Sequence, residues 1–203
     1  MNNICNAHTI EKLQAMCALA RGHFQSSKVI ISGGAPRDVL SGAPVKDIDI
    51  FVAIDMGQLG QTDSDFVKFC TTFAAAIGGQ PEFRPSVENY VNCFDLCDIT
   101  QNGVKGAVQV IGGDGDPVDG VPKYDFDLSQ VFVTPKGLFG TAAAWQARAA
   151  RTITFTPSAF DDKAMLRSKA RLDRLRAKYP GWTFANVEGL DALEQILEEP
   201  ALF

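Results

Sequence analysis

Two aspartates one residue apart, Asp47-Ile48-Asp49, sit in the alternating stretch Lys46-Asp-Ile-Asp-Ile-Phe-Val-Ala53. On a strand, side chains two apart emerge on one face, so both carboxylates point together while Ile48 and Ile50 face the opposite layer. Carboxylates held that close repel unless a cation neutralises them, and hard oxygen donors select Mg²⁺ or Mn²⁺ over zinc. Just upstream, Lys28-Val-Ile-Ile-Ser32 reads as a buried strand that enters Gly33-Gly34. There the missing Cβ atoms let backbone N–H groups approach an anion. A short helix from Pro36 to Leu40, ended by Gly42, aims its positive end at the same place and suits Pro in its first turn. A phosphate cradle beside paired carboxylates is what metal-assisted chemistry on a nucleoside triphosphate needs. Alone, a Gly-Gly turn is common and Asp-x-Asp is often a solvated strand edge. Together they ask for the same ligand.

Those residues also resemble a family. Gly33-Gly34-Ala-Pro-Arg37-Asp38 followed by Lys46-Asp47-Ile-Asp49-Ile resembles the head-domain signature of CCA-adding enzymes and bacterial poly(A) polymerases, in the DNA polymerase β superfamily of nucleotidyltransferases. The family pattern adds a third carboxylate on a neighbouring strand. Tyr124-Asp125-Phe126-Asp127-Leu128 resembles the segment that holds it, with Asp125 the better match and Asp127, two residues on along the same strand face, the fallback. Residues 140–155 and Asp161 to Arg167 resemble the passage into the family's helical neck, and the likeness ends near Phe184. Three departures stand out. Lys123-Tyr124 replaces the family's Arg-Arg, the neck lacks the Glu-Asp-x-x-Arg base-selecting motif, and the chain stops where a tRNA-binding body would begin. It looks like a minimal standalone form of the kind found in phages and bacteria.

The resemblance implies an α+β fold: a polymerase β-like mixed sheet flanked by helices, with residues 1–140 as head and 141–203 as a helical neck packed on it. It implies attack by a hydroxyl on the α-phosphate of an NTP, with release of pyrophosphate. Asp47, Asp49 and Asp125 would hold Mg²⁺ or Mn²⁺, and Gly33 and Gly34 would contact phosphate. Arg37 would reach phosphate or pair with Asp38 or Asp47. Lys46 is a nucleotide contact or a solvated strand-end charge. The implied acceptor is an RNA 3′ hydroxyl, with tRNA favoured. The alternatives are transfer to a protein or small-molecule hydroxyl, or a non-catalytic binding module that keeps the fold.

The elements that must position these groups follow from the pattern along the chain. Helices are expected over 9–24 with Thr9 as N-cap, 65–77, 141–150, 160–179 and 187–197. Further strands are expected over 90–99, 106–111, 124–133 and 152–155. The GGDGDPVDG stretch at 112–120 reads as a hairpin connection, too short for an EF-hand loop and without its terminal glutamate. Trp145 and Trp182 are expected in core or interhelix packing.

Composition bounds the rest. The 203 residues carry a net charge of -5, which taken whole argues against a broad nucleic-acid surface. That average hides a contrast: residues 148–178 hold nine Lys/Arg and three Asp, leaving ten basic and 21 acidic residues elsewhere. Within this arm Arg167, Arg171, Arg174 and Lys178 fall on one helical face, where they could hold RNA or triphosphate or form a solvated face with ion pairs. No apolar run is long enough to span a bilayer, and the N-terminal stretch lacks a signal-peptide pattern. Five irregularly spaced cysteines (5, 17, 70, 93, 97) fit free thiols in a reducing cytoplasm. Cys93-x-x-x-Cys97 makes a poor zinc site, because His8 and His23 lie far upstream.

Overall fold

The structure, a computed structural model, describes residues 9–24, 26, 28–53, 62–85, 93–113, 115–157 and 162–198. Cys5, His8, Asp114 and Asp161, and the first residues of the strand expected at 90–99, lie outside the described residues, as does the side chain of Cys93. The chain forms two compact units. One comprises the chain up to Val121 together with Val131–Gly140; the other joins Pro122–Gln130 to the chain from Thr141 onward.

The first unit holds α1 (Ile10–Phe24), β1 (Val29–Ser32), α2 (Gly34–Ser41), β2 (Ile48–Ala53), α3 (Thr62–Ala76), β3 (Gly79–Pro85), β4 (Cys93–Gln101), β5 (Val104–Gly113), β6 (Val131–Thr134) and β7 (Gly137–Gly140). The strands form one mixed sheet in the order β3-β4-β5-β2-β1-β6-β7, with β2 and β5 parallel and every other pair antiparallel. Alternation sorts its faces. Ile31, Ile50, Val110, Cys97 and Val133 join Leu13, Cys17 and Phe24 of α1 and Phe66 and Phe73 of α3 in one core. Phe24 anchors it, with ring centroids 6.1–6.3 Å from Phe66, Phe69 and Phe73. Burial of side chains this size is worth about 1.5–3 kcal/mol each. Thr9 caps α1 by accepting the Lys12 N–H at 3.3 Å.

Residues that pair across strands share a face. On the face turned away from that core, Glu82, Asp98, Gln109, Asp49, Ser32, Phe132 and Phe139 line up in a single row across the seven strands. Strands β3 and β7 went unread in the sequence. Gly78-Gly79-Pro81 signals a helix stop, which it is, but the chain then pairs with β4 along the sheet edge, where Pro81 and Pro85 need no ladder donor.

The second unit contains α4 (Ala142–Ala150), β8 (Thr152–Thr154), α5 (Asp162–Lys178), β9 (Thr183–Ala185) and α6 (Glu188–Glu198). Thr141 caps α4 by accepting the Ala144 N–H at 3.1 Å. β8 and β9 pair in parallel, and Phe126 and Phe155 form a single bridge with buried rings tilted 43° to each other at 5.4 Å. Arg176 of α5 grips Asp191 of α6 with two bonds of 2.6 and 2.8 Å. Trp182 packs on Tyr179, with centroids 5.2 Å apart, whereas Trp145 is 37% exposed on α4 rather than packed.

Two expectations need correction. The strand expected over 124–133 is strand only from Val131. Residues 127–129 instead form a 3-10 turn, because the Asp127 carboxylate takes the Leu128 N–H at 2.7 Å and removes a donor that a ladder would use. The stretch after β5 is not a hairpin connection but a 3-10 helix over Pro117–Lys123, opened by Asp116, whose carboxylate accepts the Val118 N–H at 3.1 Å. Cys17, Cys70 and Cys97 are buried free thiols, and burial pushes the Cys17 thiol up to about 11, out of the reactive range. No described helix is long and apolar enough to cross a membrane.

Candidate functional site

β1 ends at Ser32, and the chain turns through Gly33 with φ 78° and ψ −122°, a region that residues with a Cβ rarely enter. Helix α2 starts at Gly34, two residues before the expected Pro36. Its first turn is therefore built on glycine and alanine backbone, with no side chain capping it. Asp49 pairs with Ser32 in the β1–β2 register, and Asp47 lies one residue before β2, not on the strand as expected.

Both carboxylates nonetheless face the turn. A Cβ built on Gly33 would sit 3.6 Å from Asp49 Oδ2, and one on Gly34 would sit 3.9 Å from Asp47 Oδ1 and 3.6 Å from Arg37 Nη2. The two glycines thus keep open a space bordered by two half-buried carboxylates, the helix start and a guanidinium. Ile48 and Ile50 are buried on the opposite face, as the alternation requires. Arg37, only 9% exposed, donates from Nε to Asp38 Oδ1 at 2.7 Å, which leaves its Nη2 end along the turn. Lys46 is the exposed member of a 3.3 Å pair with Asp47 Oδ2, a contact of the kind worth under about 1 kcal/mol.

The glycines give a graded prediction. Gly34→Ala adds a methyl at contact distance without a forbidden φ, so it keeps stability and weakens NTP binding. Gly33→Ala does the same and also costs about 1–3 kcal/mol of backbone strain. Thermal unfolding alongside calorimetric NTP titration checks both; equal NTP affinity in Gly34→Ala and the native chain would remove the cradle.

Sequence reasoning missed two polar residues in the row that holds Asp49. Gln109 is its direct partner on parallel strand β5. Gln109 in turn donates from Nε2 to Oδ1 of Asp98 at 2.7 Å, and Asp98 on β4 is fully buried. The available signal was the single polar residue in Ala107-Val-Gln-Val-Ile111, but only register brings it beside Asp49. Ser32, also in this row, is buried and donates to the Val131 carbonyl at 2.8 Å.

In the second unit, Oδ2 of Asp125 accepts from Ser168 Oγ at 2.7 Å and from Arg171 Nη1, both on α5. Asp127 is buried, and its Oδ1 accepts the N–H groups of Leu128 at 2.7 Å and Thr154 at 2.9 Å. Burial holds its carboxyl above the ordinary value, against those bonds. Neither aspartate lies on a strand. On α5, Arg167 and Arg174 are exposed, and Arg171 and Lys178 are half-buried. Within the helix Lys169 pairs with Asp173 at 2.6 Å, while Arg171 and Arg176 reach carboxylates far along the chain.

Among the described residues, no group of three or more His, Cys, Asp or Glu side chains is placed to hold a metal. Asp47 and Asp49 fit a different mode. Mg²⁺ is commonly held by one or two carboxylates and completed by substrate phosphates and water. Hard oxygens beside a turn that a Cβ would fill suit that chemistry.

No protein-family profile matches the chain, and no curated protein matches its sequence. Solved structures do. The chain is similar to a tRNA-processing enzyme in an apo form, at 16% identity and a TM-score of 0.57 over 92% of this chain and 46% of that one. It is similar to the Thermotoga maritima CCA-adding enzyme complexed with tRNA, at 14% identity and a TM-score of 0.56 over 90% and 41%. The Bacillus stearothermophilus CCA-adding enzyme in complex with CTP matches at 14% identity and 0.53 over 91% and 43%. The chain spans less than half the length of each of these structures, and the likeness is one of fold.

Proposed function

We propose that this chain, which has the nucleotidyltransferase fold of the CCA-adding enzymes, transfers a nucleoside monophosphate from an NTP to an RNA 3′ hydroxyl, with tRNA the favoured acceptor. One observation supports this above the others: the Asp47 and Asp49 carboxylates and the Gly33-Gly34 turn border one space. Backbone N–H groups of the turn and the start of α2 bind phosphate oxygens, aided by the helix dipole. Arg37, fixed through Nε by Asp38, offers Nη2 to the same phosphates. Lys46 adds an exposed charge at the rim. Asp47 and Asp49 hold Mg²⁺ or Mn²⁺, which when bound neutralises phosphate charge and lowers the pKa of the attacking hydroxyl. Asp125 is the third carboxylate of this reading, tied by Arg171 and Ser168 to the basic helix, whose Arg167, Arg174 and Lys178 offer charge to RNA or triphosphate. Residues 1–140 serve as the head and 141–203 as the neck.

The test is to incubate the protein with labelled NTPs, Mg²⁺, tRNA and cell lysate, and to ask which fraction takes up label. Label in RNA that disappears on chelation is the expected result. Label confined to protein moves the acceptor to a protein hydroxyl. Failure to bind any NTP with Mg²⁺ in a calorimetric titration leaves a binding module on the same fold.

A further inference from the structure

The row of side chains that carries Asp49 continues through Ser32 on β1 to Phe132 on β6 and Phe139 on β7. The two aromatic rings lie nearly parallel, 23° apart with centroids at 5.5 Å. At a strand spacing of about 4.8 Å, Phe132 stands about 10 Å from Asp49 across the sheet and Phe139 about 14 Å. Phe139 is 43% exposed, at the edge of the sheet. Gly137 leaves its ring uncovered, since a Cβ there would lie 3.7 and 3.8 Å from Cε2 and Cζ.

An open pocket of about 370 Å³ adjoins the rings, lined by Arg21, Phe132, Thr134, Lys136 and Phe139. None of these is an acid. The Val29 carbonyl accepts from Nε and Nη2 of Arg21 at 3.4 Å each, which positions the guanidinium without cancelling its charge. Lys136 is exposed in the β6–β7 turn. Among the described residues neither cation forms an ion pair. The turn itself is tied down: Gln14 of α1 donates to the Pro135 carbonyl at 3.4 Å, and Thr134 Oγ1 accepts the Lys136 N–H at 3.1 Å. Rings beside uncancelled cations suit one ligand chemistry above others. Any base stacks by its π-face on an aromatic ring, and phosphates seek Lys and Arg. An apolar peptide would use the rings and not the cations, and an acidic one the cations and not the rings. A duplex hides its base faces.

We infer that Phe132 and Phe139 form a stacking platform for unpaired nucleotides of an RNA strand, with Arg21 and Lys136 binding its phosphates. The inference rests on the RNA-acceptor reading and gives that acceptor a surface on the sheet face that carries Asp49, separate from the basic helix of the second unit.

Fluorescence anisotropy of a labelled, unstructured oligoribonucleotide of about ten nucleotides, bound to the full chain without NTP, tests this. Phe139→Ala should weaken binding about five- to 150-fold, the range for loss of one base–aromatic stack. Phe139→Leu, apolar but without a π-face, should lose most of the same affinity, and Phe139→Tyr should keep it. Lys136→Gln should flatten the fall of log affinity with log salt by about 0.7, the single-strand value for one phosphate. Phe139 and Lys136 are both exposed, so all four variants should melt within a few degrees of the native protein. Calorimetric NTP titration with Mg²⁺ should give the native affinity in Phe139→Ala. RNA affinity unchanged in Phe139→Ala overturns the platform and leaves the RNA acceptor standing, because the native chain still binds the strand. NTP affinity that falls together with RNA affinity in that variant also overturns it, by assigning the ring to the base of the NTP. Labelling of a protein acceptor lost in Phe139→Ala, with RNA affinity intact, makes the patch a protein-docking face instead. Native protein that does not bind the oligonucleotide overturns both the platform and the RNA acceptor.

Discussion

Asp49→Ala and Asp47→Ala each lower NTP-dependent labelling of RNA by about a thousandfold or more, while the protein melts as before. The size follows from what the carboxylates hold. A bound cation stabilises developing charge by several kcal/mol, and every 1.36 kcal/mol is a factor of ten in rate. The unchanged melting follows from where they sit. Both side chains are half-buried on the face away from the core, and Ile48 and Ile50 keep their burial on the other side. Removing one of two neighbouring negative charges relieves repulsion. Asp47→Ala gives up only the exposed contact with Lys46. The double variant should be little worse than either single one, since groups that act as a unit are not additive. Labelling assays with parallel thermal melts check the pair. Activity surviving in both single variants sinks the metal assignment.

What the sequence disclosed about this site, and what it hid, divides by distance along the chain. Gly33-Gly34 and Asp47-x-Asp49 are legible because local rules fix them: a strand end, a turn that tolerates no Cβ, and alternation across β2. Gln109 and Asp98 are illegible because nothing local marks them. Gln109 is the single polar residue of Ala107–Ile111 and Asp98 one of several on β4, and only the register of β2, β5 and β4 sets them in one row with Asp49. Tyr124-Asp-Phe-Asp-Leu128 misleads in the opposite sense. Its alternation copies a strand, but a buried carboxylate that takes its own neighbour's N–H breaks the ladder. The basic helix reads correctly as a helix. Asp173 is the only acid between Arg167 and Lys178, yet Arg171 and Arg176 find carboxylates on Asp125 and Asp191. Helical periodicity identifies a face and says nothing of which distant segment meets it.

Asp127 separates a ligand from a structural carboxylate. Asp127→Asn should leave RNA labelling intact and match or exceed the native stability at neutral pH. Asp127→Ala should lose about 1–3 kcal/mol for each N–H it leaves unsatisfied. The asparagine keeps an oxygen that can accept from Leu128 and Thr154; the alanine keeps none. The pH dependence follows from the carboxyl being held above its ordinary 3.8 by burial, which outweighs the bonds from Thr154 and Leu128. With the folded value raised, the protonated form favours folding. This contribution is complete below the ordinary value, is lost as pH rises through the raised one, and leaves neutral pH bearing the cost of a buried charge. Native protein should therefore gain stability from this group on mild acidification, and Asp127→Asn should not. Denaturant unfolding at a series of pH values, with amide exchange at Leu128 and Thr154, reads both effects in the second unit. Labelling abolished in Asp127→Asn would instead make Asp127 the third carboxylate in place of Asp125. An asparagine variant as unstable as the alanine one would show that the charge, rather than the acceptor oxygen, holds the 127–129 turn to β8.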